Sequence, residues 1–241
     1  MIKIMKTLYC LLLMILATVI AAGAEEDDFE SGRGSRVSWA RLKFPVRGSS
    51  SRENQWDWHN HPTGDVKLID WIRKNTDINM KQEWNIVDIS KLDDMCEFPF
   101  IFMHGQRIIN INDTQKSNLR EYLLRGGFIF VDDCVYTHWE PALFYESMMK
   151  LLPELLPETT FKKLDKGHEI FNCYFNVPRW PHMQGRDNGL TAAYYKGRLI
   201  ALLSSSDLHC GWVDVGWFPQ QPTDLAYKMT VNIYVYVITH R

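Results

Sequence analysis

The clearest structural signal in this sequence is a helix end that runs directly into a buried strand, Tyr122-Leu-Leu-Arg-Gly-Gly-Phe-Ile-Phe-Val-Asp-Asp133. Upstream of it, Asn112 and Asp113 are residue types that cap helices, and apolar residues follow them at helical spacing. Two adjacent glycines favour the end of that helix, and residues 128–131 are an unbroken apolar run. Such a run is typical of a strand that is covered on both faces. The stretch therefore predicts one unit of an α/β fold.

Segments on both sides continue this alternation of strands and helices. The predicted elements are strands at Trp39–Phe44, Ile86–Ile89 and Phe98–Met103, a helix over Asp65–Asn75 with Val66, Ile69 and Ile72 on its buried face, a helix over Glu140–Leu152 stopped by Pro153, a hairpin of Ala192–Tyr195 and Leu199–Leu203 around Lys196-Gly197, and a closing helix over Asp224–Thr239. Strands that alternate with helices imply βαβ units and a parallel sheet, to which the hairpin adds an antiparallel piece. We therefore predict an open, mostly parallel but mixed sheet flanked by helices.

The first 24 residues have the three parts of a signal peptide. Lys3 and Lys6 form a basic start, residues 8–20 are apolar, and Ala22-Gly23-Ala24 supplies small residues for cleavage. The apolar part is shorter than the ~20 residues of a typical membrane span, although an uncleaved anchor is the alternative. We predict a signal peptide at 1–24, a flexible linker at 25–37, and a single α/β domain at 38–241. The chain is then exported, to the periplasm or beyond, with no transmembrane span after leader removal.

Composition excludes some classes of function. Hydrophobic residues make up 46% of the chain, which is enough for a sizeable core. Two of the 27 basic residues lie in the leader, so the mature part carries 25 basic and 29 acidic residues, a net charge of about -4. The basic residues form no concentrated run, and nucleic-acid binding is therefore not expected.

Four cysteines remain beyond the leader: Cys96, Cys134, Cys173 and Cys210. An even number permits disulfides in an oxidising compartment, and spacing alone leaves all three pairings open. Cys134 and Cys210 follow strands at the same predicted sheet edge, which makes them a candidate disulfide pair, with an inert buried thiol as the alternative for Cys134. No cysteine lies in a CxxC motif, so no zinc ribbon is indicated. We predict neither a metal nor a cofactor.

Polar and aromatic side chains follow four of the predicted strands. In open α/β sheets, ligands bind outside the carboxyl ends of the strands, near a switch in strand order. The candidate cleft residues at these ends are Trp58, His104, Asp132, Asp133, Asp207 and Trp212. We expect His104, Asp132 and Asp207 to lie within roughly 10 Å of one another, as the walls of one pocket do. The alternative is that such aspartates only cap the helices that follow.

Three kinds of chemistry are conceivable at this edge. Cys134 as a nucleophile is not expected, because Asp132 and Asp133 would oppose a thiolate and no glycine elbow surrounds it. His59 and His61 could share a metal with Asp132 or Asp207, but two solvent-facing histidines are the simpler interpretation. Loop tryptophans could stack on sugars, and about half of them are expected to pack in the core instead.

The order of motifs resembles a bacterial family, the domain of unknown function DUF4159, of the class I glutamine amidotransferase-like superfamily. The matching pieces are Ala40–Phe44, Asp57-Trp58 with Pro62, Tyr122–Asp133, Asp165–Phe171 around His168, Ser206–Leu208 with Gly211-Trp212, and Met229–Tyr236. The resemblance implies an amidotransferase-like or flavodoxin-like three-layer sandwich, exported or membrane-associated, often encoded beside MoxR-type ATPases and von Willebrand factor A-like proteins. The chain departs from the family's usual pattern at His59, His61, Cys134 and Cys210, so chemistry at these residues is particular to it or absent.

We interpret the mature domain as a non-catalytic binding or assembly module of the cell envelope. Its partners would be envelope proteins linked to a MoxR-type ATPase system, or a carbohydrate ligand. The alternative is a hydrolase that acts on glycans or amides at the strand-end cleft. An enzyme should show convergent Asp, His or Cys groups with perturbed pKa values in a deep pocket. A binding module should show exposed apolar side chains and a shallow cleft with few carboxylates.

Overall fold

Seven strands form one mixed sheet in the part of the chain that the structure, a computed structural model, describes: residues 36–48, 58–135, 137–213 and 216–240. The strands are β1 (Val37–Lys43), β2 (Met80–Asp88), β3 (Phe100–Gly105), β4 (Phe128–Asp133), β5 (Thr160–Leu164), β6 (Leu190–Tyr195) and β7 (Arg198–Ser204). The predicted signal peptide lies outside the described residues. So does the predicted linker, except for Arg36 and Val37, and Val37 already belongs to β1.

The strand order is β2-β1-β3-β4-β7-β6-β5. The five strands from β2 to β7 run parallel, and β6 is antiparallel to both of its neighbours. The chain moves from β1 outward to β2 and then returns to the other side of β1 to form β3. This reversal creates the switch in strand order at which α/β sheets bind ligands, at the carboxyl edge between β1 and β3.

Helices cover both faces of the sheet. One face carries α1 (Thr63–Asn75), α5 (Leu208–Val213) and α6 (Gln220–Thr239), and the other carries α2 (Leu92–Cys96), α3 (Asp113–Leu124) and α4 (Leu143–Leu155). Phe100 and Phe128 pack toward α6, whereas Ile101 and Ile129 pack toward α3 and α4. Because both faces are covered, these strands have no polar positions until they reach the carboxyl edge. The result is the predicted three-layer α/β fold.

Some predicted details are confirmed and others are wrong. Asn112 caps α3, and Lys196 and Gly197 take the positive φ angles of a tight hairpin turn, as predicted. However, Pro153 lies inside α4 and does not stop it; a proline in the last turn removes one hydrogen bond, and buried Leu155 keeps the turn packed. Val66 is 45% exposed, because α1 turns Asp65, Leu68, Ile69 and Ile72 toward the sheet.

Among the helices of the described ranges, none combines the length and the hydropathy needed to cross a bilayer.

Candidate functional site

Alternation along the strands brings polar side chains of three neighbouring strands together. Three polar residues each lie two positions along their strand from a core residue beneath α1, α5 and α6: Arg41 on β1, His104 on β3 and Asp132 on β4. Residues two apart on a strand share a face, so the three side chains lie on the face that these helices cover. The register pairs His104 with Asp132 and Arg41 with Phe102, so the three positions are adjacent at the carboxyl edge. All three side chains are fully buried.

Asp207 enters this group from the turn between β7 and α5. Its φ of 53° lies in the left-handed region that few residues other than glycine adopt, although aspartate tolerates it. The turn places Asp207 Oδ1 3.6 Å from His104 Nε2. The carboxylate also accepts hydrogen bonds from Gln184 Nε2 at 2.5 Å and from the backbone N–H of Cys210 at 3.3 Å. The second bond caps α5, so Asp207 both turns the chain and faces His104.

A buried ion pair forms the other half of the group. Arg41 Nη1 lies 2.9 Å from Asp65 Oδ2, and Trp39 Nε1 donates to the other oxygen of Asp65 at 2.8 Å. Arg41 Nη2 is 3.3 Å from Nε2 of His209, which must accept because a guanidinium can only donate. His209 is therefore neutral, and its ring lies 4.1 Å from that of His104, centroid to centroid. Sequence reasoning missed Arg41 and Asp65; the available signal was a lone arginine inside an apolar strand.

Cys134 is the first residue after β4, and its buried Sγ accepts a hydrogen bond from Asn60 Nδ2 at 3.6 Å. Cys134 and Cys210 are free thiols in this structure, and their side chains are hydrogen-bonded neighbours. One ligand atom each from His104, Cys134 and Asp207 lies within 4.8 Å of the others. We call His104, Asp132, Cys134, Asp207 and His209 the strand-end cluster.

Burial and mutual contact set the protonation states of the cluster. Burial lowers the pKa of His104 and, more strongly, that of His209, whose pKa the adjacent His104 ring and the guanidinium of Arg41 also lower. Both rings are therefore neutral. Burial and the nearby charge of Asp207 raise the pKa of Asp132 well above its usual value. Burial also acts to raise the pKa of Asp207, but the ring of His104, 3.6 Å away, and a hydrogen bond from Gln184 bring it below the usual value. The pair therefore holds one neutral acid and one carboxylate.

The Cys134 thiol is held in its protonated form. Its hydrogen bond with Cys210, its burial and the charge of Asp207 all raise its pKa well above the ordinary value. A thiol rather than a thiolate is a weak nucleophile. This agrees with the expectation that Cys134 is not a catalytic nucleophile, although the acidic neighbour that matters most is Asp207 and not Asp133.

The structure brings together only part of the predicted cleft. His104, Asp132 and Asp207 converge, and Trp212 lies beside them, with its ring 5.3 Å from that of His209. Asp133 points to the opposite face, where its Oδ2 accepts from the N–H of Tyr145 at 2.7 Å in the first turn of α4. Trp58 packs with the core of that opposite face. His59 and His61 also diverge, since one ring faces Trp84 and the other faces Trp217.

The convergent residues form an enclosed cluster and not an open cleft. His104, Asp132, Cys134, Asp207 and His209 each have a relative exposure of 0%. The half-buried ring of His61 lies 6.5 Å from that of His209, centroid to centroid, and the exposed ring of Trp217 lies 5.3 Å from that of His61. The sequence did not indicate that the side chains of the strand-end cluster would be fully buried.

Several buried polar atoms of this region lack a hydrogen-bond partner among the described residues. They are Arg41 Nε, both ring nitrogens of His104, Asp132 Oδ1, His209 Nδ1 and Trp212 Nε1. Each unpaired buried group costs about 1–3 kcal/mol of stability, and native proteins keep only a few of them. They are concentrated at the switch in strand order, the place where α/β sheets bind ligands.

Comparison with known families covers this whole region. The model of a domain of unknown function (DUF4159) matches residues 40–238, which extend from β1 to the end of α6 and include every residue of the strand-end cluster. No curated protein sequence matches the chain. The match spans most of the chain and includes residues of all seven strands, so the chain belongs to the DUF4159 family.

Proposed function

We propose that the chain is exported and that its domain is a binding module of a bacterial cell envelope, with the carboxyl edge of the sheet as its recognition surface. The observation that carries the proposal is the presence of two strongly exposed tryptophans at this edge, Trp139 at 70% and Trp217 at 56%. Tryptophan is enriched at binding interfaces, where its ring contributes a large apolar area. The signal-peptide features of residues 1–24 support the export part of the proposal.

Each tryptophan lies in a loop that contacts another part of the chain. Trp139 lies in the loop between β4 and α4, where Arg186 donates to the carbonyl of Glu140 at 2.9 Å and to that of Trp139 at 3.4 Å. Trp217 lies between α5 and α6 and packs edge-on against His61. Both loops lie at the carboxyl edge of the parallel strands. We infer that they present the two rings to a ligand.

The ligand class that fits best is a carbohydrate. Aromatic rings stack on the apolar faces of sugars, and neither tryptophan needs a charged partner to do so. The resemblance-based alternative, an envelope protein linked to a MoxR-type ATPase, would use the same exposed rings as protein contacts. Placement in the class I glutamine amidotransferase-like superfamily is part of the same proposal and rests on the order of strands and helices.

A second candidate function is hydrolysis of glycans or amides. One observation favours it: His104, Asp132 and Asp207 converge, and the pKa of Asp132 is raised while the pKa values of His104 and Asp207 are lowered. The enclosure of the cluster is the reason that we place binding first, because none of its side chains is exposed to a substrate in solution.

Binding to insoluble polysaccharides tests the proposal. We expect the purified chain to sediment with at least one of peptidoglycan, chitin or cellulose, and Trp139→Ala and Trp217→Ala each to weaken binding about 10-fold, as loss of ~1.4 kcal/mol of stacking would. The matched control is Tyr174→Ala: Tyr174 is 40% exposed and lies near Asp77, at the opposite edge of the sheet. Equal binding by wild type and both tryptophan variants, or no binding to any of the three polymers, would contradict the proposal.

Export is tested separately. We expect mass spectrometry of the protein from its native host to show a mature chain that begins at Glu25, because Ala22 and Ala24 are the small residues that a signal peptidase requires. Leu12→Arg, which interrupts the apolar part of the leader, should leave the chain uncleaved. A wild-type chain that keeps Met1 would contradict export with cleavage.

A further inference from the structure

We propose that His104, Cys134 and Asp207 bind a zinc ion. These three residues offer a nitrogen, a sulfur and an oxygen ligand at one point inside the domain. The site lies beneath the proposed recognition surface, but zinc binding does not depend on the ligand of that surface. The sequence predicted no metal, because its cysteines lack zinc-ribbon spacing and the three residues are far apart in the chain.

The distances suit a tetrahedral metal. The three ligand atoms lie within 4.8 Å of one another, and the His104 Nε2 to Asp207 Oδ1 distance is 3.6 Å. Zinc bonds of about 2.0–2.3 Å place tetrahedral ligand atoms roughly 3.3–3.8 Å apart, so rotamer adjustments of about 1 Å would close the set. Backbone rearrangement is not needed.

Each ligand is fixed by the framework of the sheet. His104 lies on β3 in register with Asp132 of β4, and Cys134 is held to the end of β3 by its N–H, which donates to the carbonyl of Gly105 at 2.9 Å. Asp207 is fixed at the end of β7 by its bonds to Cys210 and Gln184. Strands β3, β4 and β7 are consecutive in the sheet. Ligands on adjacent rigid elements are the arrangement that precise metal sites require.

The unpaired imidazole of His104 is a second, independent observation. Both of its nitrogens are buried and lack a hydrogen-bond partner within the described part of the chain, and one of them faces the carboxylate of Asp207. Imidazole is the commonest protein ligand for zinc. A metal ion would supply the missing partner and offset the cost of burying the ring.

The charges balance when zinc binds. A coordinated thiol is deprotonated, so Cys134 and Asp207 would contribute two negative charges to the ion's two positive ones, and the thiol proton is released to solvent. The nearby positive charge of Arg41 is already paired with Asp65. A buried site of this composition carries no net charge, which is the condition for placing a dication in the core.

The ligand types select zinc over harder cations. Calcium and magnesium require oxygen ligands, whereas a set of imidazole, thiolate and carboxylate suits zinc. Three protein ligands leave one tetrahedral position for water, which is the pattern of catalytic rather than structural zinc sites. Occupation of the site would therefore favour the hydrolase alternative, with Asp132 as the neighbouring acid.

Zinc titration of the chain without its leader, residues 25–241, tests the site. The protein is stripped with a chelator, kept reduced so that Cys134 and Cys210 stay thiols, and titrated with zinc in competition with a chromophoric chelator. We expect one zinc per chain with a micromolar or tighter Kd. Cys134→Ser and His104→Gln should each weaken binding about 100-fold or more, since each removes a ligand. The exposed thiol variant Cys96→Ser and the variant His59→Gln should bind as wild type.

Cobalt substitution separates loss of the site from loss of the fold. The wild type and Cys96→Ser should show a thiolate-to-cobalt charge-transfer band that Cys134→Ser lacks, while circular dichroism shows the same helix content in all three. Absence of stoichiometric binding by the wild type, unchanged affinity in both ligand variants, or loss of binding in Cys96→Ser would overturn the zinc site. Tryptophan-dependent polysaccharide binding is measured in a separate experiment. Failure of the zinc site therefore leaves the polysaccharide result interpretable, and the reverse also holds.

Discussion

Asp65→Ala is expected to lower the free energy of unfolding by about 3–5 kcal/mol, as the removal of one partner from a buried ion pair does. The guanidinium of Arg41 would remain at the centre of the domain without its carboxylate. The indole N–H of Trp39 would lose its acceptor as well. Chemical denaturation followed by tryptophan fluorescence measures the change.

The control for this prediction is a surface pair of the same chemistry on the same strand. Lys43 Nζ lies 3.3 Å from Asp88 Oδ2, and both side chains are partly exposed. Asp88→Ala should therefore cost less than about 1 kcal/mol. An Asp65→Ala variant that loses no more stability than Asp88→Ala would show that the Arg41–Asp65 pair does not hold β1 to α1.

Gly127→Ala is expected to destabilise the fold by about 3–4 kcal/mol, through overpacking and lost hydrogen bonds. A Cβ at this position would overlap the ring of Tyr122. The ring cannot move freely, because its hydroxyl accepts from the N–H of Phe128 and shares its one proton between the carbonyl oxygens of Phe98 and Phe128, at 2.8 and 3.0 Å. These bonds fix the end of α3 against the start of β3 and β4.

Gly126→Ala supplies a neighbouring comparison. Gly126 has a φ of 100° and no atom within 4 Å of the position that a Cβ would take. Its substitution adds backbone strain alone, about 1–2 kcal/mol. If Gly126→Ala proved the more damaging of the two in thermal or chemical unfolding, the close packing of Tyr122 on Gly127 would not be the reason for the paired glycines.

The layered fold was predictable wherever a segment is buried on both faces or ends in a specific turn. Phe128–Val131 is apolar throughout because helices cover it on both sides, and Lys196-Gly197 specifies its hairpin through backbone conformation. Strand β5 was missed for the opposite reason. It is an edge strand whose exposed Lys162 and Lys163 interrupt any alternating pattern. Lysine on an edge strand prevents further pairing and at the same time hides the strand from pattern analysis.

The site was predictable to the extent that it depends on strand ends. His104, Asp132 and Asp207 follow buried strands that run parallel, which is sufficient to bring them to one edge. Alternation also separates Asp132 from Asp133, since only Asp132 shares a face with Phe128 and Phe130. Applying this alternation would have removed Asp133 from the predicted cleft.

The remaining site residues depend on tertiary contacts that no local pattern encodes. Asp65 is matched to Arg41 across 24 positions of sequence, and His209 reaches Arg41 across 168. His61 and Trp217, which lie far apart in the sequence, meet edge-on beside the strand-end cluster. Burial of Asp132 and His104, and hence the direction of their pKa shifts, follows from these contacts and from α5.

In our proposal, His104, Cys134 and Asp207 form a zinc site at the carboxyl edge of the sheet. Anomalous diffraction from crystals of the reduced chain grown with zinc, recorded on both sides of the zinc absorption edge, tests it most directly. The predicted result is one strong peak about 2.0–2.3 Å from a ring nitrogen of His104, Sγ of Cys134 and a carboxylate oxygen of Asp207. Peaks confined to surface residues such as His240, with none among these three side chains, would contradict it.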